Sequence, residues 1–460
     1  MGNRYFRLIT ILFFSLSIIF FLPYEHTVLG AQSQTPNHIT AENSTDGIVL
    51  SWSRAKDAKG YYIYKGSKRI KTIINPNQTT YTDCDATKNA GKYTYRISSF
   101  TLTDGRRCEG KKSDPVIQYY LRPTCINSLI IDNFKADLKW SSNSRCRGYE
   151  IQYSVYEDFR KYKELKTSKT EIKTDSLSSK KDYYFRIRTF ITVDKTTYYS
   201  AWNNSCKVIA WNPDWKYAKN SKIHSASVVL YYSASSQRKD TVVCINAGHG
   251  TKGGESQKTL CHPDGSPKVT GGTAATGSVK TMAVANGTDF PDGTPERDAN
   301  LAVAKMLKSK LLSAGYDVLM IREGDDVQLD NVARTVIANN NADCHISIHY
   351  DSTDTNKGAF YTGVPNISSY RKMEPVASNW KKHEQLGQSL INGMKKSGVK
   401  IYQNGRMEVD LTQTSYSTIA SVAIEVGDRK TDRSKKALEK LTDGILNGLY
   451  AGYEKGHTWK

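Results

Sequence analysis

Four side chains in the second half of the chain could together carry out a hydrolysis: His249, Glu296, His349 and Glu425. Each falls at the end of a strand or the start of a helix, where a layered α/β fold presents its chemistry. His249 follows the apolar run Val242–Ile245 on the glycine turn Gly248-His249-Gly250. Glu296 stands in the first turn of a helix, behind Thr294 in the cap position and Pro295 at the first turn. His349 closes the strand Cys344–Ile348, and Glu425 lies near the end of Ser421–Val426. Two histidines and a carboxylate match the ligand set of a catalytic zinc, which keeps a fourth position open for water. A separate carboxylate can then take the proton of that water as it attacks a carbonyl. Zinc suits this work because it lowers the pKa of bound water toward about 7 and polarises the carbonyl. Spacing alone does not settle the matter, because two histidines 100 residues apart are, taken singly, usually structural or surface residues.

The elements that must position these groups follow from periodicity. From Thr241 strands and helices alternate. Leu301, Ala304, Leu307 and Leu311 mark the buried face of the helix that Glu296 opens, and Gly315 ends it. Tyr316–Ile321 reads as a strand. Leu329, Val332, Ala333, Val336 and Ile337 have the i, i+3, i+4, i+7, i+8 spacing of an amphipathic helix. Lys382–Ser397 and Ala437–Tyr450 read as two more helices. Units of this size imply one α/β domain with a mainly parallel sheet covered by helices on both faces. His345 reads as a buried, hydrogen-bonded residue, whereas His224, His262 and His383 lie in polar stretches and read as surface. Arg334 is expected to be structural, and Asn300 to orient backbone near the site.

In order along the chain, Cys244-Ile245-Asn246-Ala247-Gly248-His249-Gly250, Glu296-Arg297-Asp298-Ala299-Asn300-Leu301, Ser347-Ile348-His349 and Ile424-Glu425-Val426-Gly427 resemble the zinc-dependent N-acetylmuramoyl-L-alanine amidase family of bacterial wall hydrolases. The run from Arg334 to His349 follows that family's pattern too, and the resemblance spans 241 to about 455. It implies one Zn2+ held by His249, Glu296 and His349, with Glu425 as the catalytic carboxylate. It also implies hydrolysis of the amide between N-acetylmuramic acid and the L-alanine of the stem peptide in peptidoglycan. The chain departs from the family at Asn246-Ala247, where Asp-Pro is usual, and at Asp428, where an aromatic residue is common. The long stretch between His249 and Glu296 resembles inserts in some members and reads as a flap over the groove or a surface loop. Rival readings are a zinc peptidase acting on the stem peptide and a wall-binding protein with a silent hydrolase domain.

Ahead of this domain the chain repeats itself. Ile48–Trp52 is followed eight residues past the tryptophan by Gly60-Tyr61-Tyr62-Ile63-Tyr64, and Ala136–Trp140 at the same interval by Gly148-Tyr149-Glu150-Ile151-Gln152-Tyr153. Lys92–Ile97 and Asp182–Arg188 alternate as half-buried strands should. With these spacings, 36–121 and 122–211 resemble fibronectin type III modules, which are all-β immunoglobulin-like sandwiches. The expected layout is an export signal at 1–31, modules at 36–121 and 122–211, a linker at 212–240, and the catalytic domain at 241–460.

Arg4 and Arg7 before the 15-residue run Leu8–Leu22, with Gly30 and Ala31 after it, form the export signal; the run is short for a spanning helix. We therefore expect a secreted, wall-associated protein with no stable membrane insertion once the signal is cut. Eight cysteines in 460 residues are too few for a disulfide scaffold, although one bridge between Cys84 and Cys108 is plausible. The net charge of +20 is uneven. Residues 32–240 hold 36 Lys and Arg against 20 Asp and Glu, whereas 241–460 hold 27 against 24. A basic front half suits anionic wall polymers better than nucleic acid in an exported protein.

Overall fold

The computed structural model describes residues 33–454. The expected export signal lies outside them, and among the described residues no helix is long and apolar enough to cross a membrane. The chain forms two compact bodies. One takes the residues up to Ala41, Leu50–Tyr81 and Tyr93–Ile117; the other takes Glu42–Val49, Thr82–Lys92 and everything from Gln118.

In the first body Gly60–Lys65 pairs antiparallel with Lys68–Ile73 and with the long strand Gly91–Thr103. Trp52 is buried edge-on against Tyr61, ring centroids 5.2 Å apart, and the Tyr61 hydroxyl accepts from the Ala55 N–H. The second copy repeats both features with Trp140 and Tyr149 at 5.3 Å and the Asn143 N–H. The equal spacing of Trp and Gly-Tyr in sequence therefore corresponds to one packing unit used twice.

The second body is built on one twelve-stranded sheet. Its module contributes β1 (Gly148–Ser154), β2 (Lys163–Thr167), β3 (Tyr183–Val193) and β4 (Asn203–Ile209); β5 (Val228–Tyr231) follows. Then come β6 (Val242–Ala247), α1 (Glu296–Ser313), β7 (Asp317–Met320), α2 (Asn331–Asn341), β8 (Cys344–Asp351), β9 (Ala359–Gly363), α3 (Val376–Lys396), β10 (Ile401–Glu408), β11 (Ala420–Asp428) and α4 (Lys435–Glu454). The strand order is β2-β1-β3-β4-β5-β7-β6-β8-β11-β9-β10, and the twelfth strand, Thr196–Tyr199, pairs with β3 off this path. Pairs β6–β7, β6–β8, β8–β11 and β9–β10 are parallel, but β9–β11 and β5–β7 are antiparallel. The sheet is thus mixed where a mainly parallel one was expected, because β9 follows β8 through a short loop and runs back along β11. Helices α1, α3 and α4 pack on one face, and α2 with the short helix Thr412–Tyr416 on the other.

The segment 212–240, expected as a connector, supplies β5. That strand pairs on one side with β4 of the module and on the other with β7. Four apolar residues between Ser-rich flanks gave little local sign of this, since both partners are remote in sequence. Trp140, Ile151, Phe185, Tyr231, Leu307 and Met320 consequently belong to one buried apolar core. Lys308 of α1 reinforces the junction: its ammonium donates to the Asn127 carbonyl at 2.8 Å and to Glu323 at 2.6 Å, and lies over the Tyr231 ring.

Helix boundaries follow local chemistry. Pro295, not Thr294, occupies the cap position of α1, and no side chain caps that end; Glu296 and Asp298 in its first turn meet the positive end of the helix dipole. Asp330 caps α2 by accepting from the Ala333 N–H at 2.7 Å, while its other oxygen takes the N–H groups of Lys222 and Ile223. All eight cysteines are free, so the bridge expected between Cys84 and Cys108 is not formed.

Candidate active site

Register puts the site together. Strands β6, β8 and β11 lie side by side, and His349 of β8 stands opposite Glu425 of β11. The turn after β6 brings in His249, and the start of α1 brings in Glu296. His249 Nε2 lies 2.9 Å from Glu296 Oε1, while His349 Nδ1 lies 3.1 Å from His249 Nε2 and 3.3 Å from Glu296 Oε1. One ligand atom from each of the three residues therefore falls within 4.8 Å of the others.

The surroundings fix these groups. His249 has a φ of 63°, a left-handed conformation that few residues other than glycine adopt. Two contacts hold it there: its Nδ1 meets the Ala285 carbonyl at 2.6 Å, and its own carbonyl accepts from Arg334 at 2.8 Å. The first contact ties Nδ1 to the backbone and turns Nε2 toward Glu296 and His349. A Cβ on Gly248 would come within 2.2 Å of the His349 ring, and one on Gly287 within 2.8 Å of Glu296 and His249. Only glycine permits such close approach at both places. Asn300, one turn after Glu296, donates to its Oε1 at 3.1 Å.

Arg334 is completely buried and donates to the Asn246 side chain, the carbonyls of Ala247, His249 and Leu329, and the Thr251 hydroxyl. Arg322 adds bonds to the carbonyls of Ala247 and Gly248. Asn246, one of the departures from the family pattern, thus has a fixed partner. Asp428, the other, is buried and accepts from the N–H groups of Thr355 and Lys357, tying down the loop between β8 and β9.

Electrostatics separate the two carboxylates. Burial opposes charge on Glu296, but hydrogen bonds from His249 and His349 outweigh it and hold its pKa well below the carboxylate range. Burial lowers the pKa of His349, which favours the neutral ring. Glu425 goes the other way: burial first, then the charge of Glu296, push it up to about 8, against the opposing pull of Lys357. Its Oε2 is buried without a hydrogen-bond partner. A cation held among His249, Glu296 and His349 would satisfy such a carboxylate and return it to its charged form.

Other sequence readings fare unevenly. His345 is buried and hydrogen-bonded to Ser421 at 3.3 Å, as expected. His224 is exposed, but His262 and His383 are buried, contrary to expectation. His262 meets Asp410 at 3.2 Å and His383 accepts from the Ser421 N–H at 3.0 Å. Those partners lie far along the chain, so local polarity misjudged both residues. The insert, read as a flap over the groove or a surface loop, is ordered and borders the site. It forms a hairpin of Lys258–Leu260 and Lys280–Met282, and Asp410 anchors it through Lys268, Val269 and Thr270. Met282 and Val284 of the insert, with Gln413, line a cavity of about 90 Å³ beside His249 and His349. Lys357 was missed by sequence reading; it forms an ion pair with Asp351 and lies over the rings of Phe360 and Tyr402.

Residues 243–452 match the family model described as N-acetylmuramoyl-L-alanine amidase. No curated protein matches the chain. Among solved structures, the amidase Ami1 of Mycobacterium smegmatis is 19% identical, with 47% of this chain and 98% of that one covered and a TM-score of 0.38. An N-acetylmuramoyl-L-alanine amidase of Clostridium difficile 630 gives 19% identity, 47% and 98% coverage, and 0.33. The chicken CNTN1 FN1–FN3 domains give 16% identity, 39% and 67% coverage, and 0.23.

Proposed function

We propose that this chain, whose segment 243–452 matches the N-acetylmuramoyl-L-alanine amidase family model, is an exported zinc enzyme that cuts the amide between the lactyl group of N-acetylmuramic acid and L-alanine. The observation that carries the reading is the convergence of His249, Glu296 and His349 beside the unpartnered carboxylate of Glu425, all within that domain.

The donor set suits zinc, with two imidazole nitrogens and one carboxylate oxygen. His249 Nε2, His349 Nδ1 and Glu296 Oε1 would hold the ion. When bound, zinc supplies Lewis-acid polarisation of the scissile carbonyl and lowers the pKa of water at the site. Glu425 takes the proton of the attacking water and delivers it to the departing alanine nitrogen. Charged beside a bound cation, Glu425 can accept the proton of the water and then release it to the leaving amine. Asn300 holds Glu296 in place, and Arg334 holds the turn that presents His249.

The basic front half would keep the enzyme on anionic wall polymers. On one sheet of the first body, exposed Arg69, Arg107 and Lys112 lie over Tyr62, Phe100 and Tyr64 at 4.6, 5.1 and 3.7 Å. Cations fixed on rings in this way remain available to phosphate groups.

The test is release of soluble material from purified peptidoglycan. Activity lost to a zinc chelator and regained on adding Zn2+, together with a fall of about 10²–10⁴-fold in Glu425→Gln, supports the reading. Undiminished turnover in either arm would overturn it.

A further inference from the structure

We infer that the cleft between the second module and the loop after β7 is a binding site for the glycan strand of the substrate. The inference rests on the amidase reading and extends it to a part of the fold outside the catalytic centre.

The cleft has a volume of about 550 Å³, within the range of about 300–1,000 Å³ typical of small-ligand sites. Leu129, Ile131, Leu177, Val229 and Met320 form an apolar floor. Phe134 stands at the rim, 58% exposed, at the tip of the turn between the strands Ile126–Asp132 and Lys135–Trp140. Its φ is +62° and that of Asn133 is +46°. Such a turn normally takes Asn-Gly, since glycine adopts this conformation without strain. A large ring held there in solvent is a cost to the fold that packing does not repay, and it offers a flat apolar face to a ligand.

The polar groups of the cleft decide which ligand. Asp132, Asn133 and Ser179 stand on the module side, and Asp325, Asp326 and Gln328 on the other. Arg322 is the one cation among the lining residues, and the carbonyls of Ala247, Gly248, Gly324 and Arg297 occupy its donors. Its lining residues therefore present exposed carboxylates at Asp132, Asp325 and Asp326 and no free cation. A phosphate polymer would be repelled. A pyranose strand fits, because its ring faces stack on an aromatic side chain and its hydroxyls donate to carboxylates and amides.

Position supports the same ligand. The loop that forms one wall also braces the catalytic turn: Arg322 bonds to the carbonyls on either side of the Ala247–Gly248 link, and the Val327 N–H donates to the Gly250 carbonyl at 2.8 Å. A strand seated in the cleft lies one loop away from His249, on the enzyme that must hold a glycan while it removes the attached peptide.

The test is calorimetric titration of the full chain with chitotetraose, a peptide-free tetramer of N-acetylglucosamine. Saturable binding is expected, weakened about tenfold in Phe134→Gly, as is usual for an aromatic anchor, and abolished in Ser179→Trp, which fills the cleft from an exposed position. Circular dichroism establishes that both variants are folded. Absence of binding by the unaltered chain, or equal affinity in both variants, would overturn the inference. So would a free stem peptide that binds instead and is lost in Asp325→Asn, which would make the cleft a peptide site. Hydrolysis of peptidoglycan is scored separately: turnover without chitotetraose binding sinks only this site, and binding without turnover sinks only the amidase reading.

Discussion

Arg334 shows how much of the site depends on a residue buried beneath it. Its guanidinium is sealed in the interior, and burial followed by repulsion from Arg322 lowers its pKa to about 9. Five acceptors around the catalytic turn surround it, and His249 can hold its left-handed backbone only while they are bound. Arg334→Lys cannot span them. It should cost about 2–3 kcal/mol in urea unfolding and reduce turnover at the same time; wild-type stability would count against this role. His383 gives a pH prediction. Burial, then the charge of Lys382, pulls its pKa down to about 3, against an ordinary value near about 6.5. The unfolded chain thus takes up the proton first, so stability is full above about pH 6.5 and falls as pH drops toward 3. The melting temperature should decline over that window and decline less in His383→Gln, whose amide oxygen can still accept from Ser421. Parallel curves for the two proteins would exclude His383 as a source. The lysines beside His383 give it a polar local setting that points to the surface, whereas its burial comes from β11.

At the scale of elements, the insert is held by one buried carboxylate. Burial works against the charge of Asp410, but His262, Lys268 and Thr270 outweigh it and keep its pKa below the ordinary carboxylate range. That anchor is therefore intact above about pH 4 and lost as pH falls further. Asp410→Asn should expose 258–282 to limited proteolysis at neutral pH and lower activity through the cavity wall at Met282 and Val284. Unchanged cleavage would mean that the hairpin stands by itself. Strong periodicity made α1, α2, β6 and β8 legible from the sequence, and the order of the motifs made the candidate site legible. Strands β9 and β10 were not legible, and β5 only half so, since Val228–Tyr232 reads as a strand or, with its Ser-rich flanks, as part of a connector. Val228–Tyr231 and Ala359–Gly363 are too short to show a period, and what makes them strands is an edge offered by partners elsewhere in the chain. The same holds for the insert, whose fate is set by Asp410, about 140 residues further on.

Across the whole molecule, the second module and the catalytic domain share a sheet and a core, so the module is part of the enzyme's fold. A shortened chain of 241–460 loses β5 from the edge of β7 and uncovers Met320, the register partner of Val229, at about 1.5–3 kcal/mol for a large apolar side chain; it also leaves Lys308 without Asn127 and Tyr231. It should melt well below a chain of 118–460 in calorimetry, and equal melting temperatures would show the shared core to be dispensable. The cleft proposed as a glycan site lies between the module and the catalytic domain, and Arg322 links its wall to the turn that carries His249. The claim on which everything else depends is the identity of the bond that is cut. Purified peptidoglycan digested by the full chain should release free stem peptides that begin with an unblocked L-alanine and leave N-acetylmuramic acid with a free lactyl carboxylate, both read by mass spectrometry. Products in which the lactyl–alanine amide survives and cuts fall inside the peptide or the glycan would contradict it.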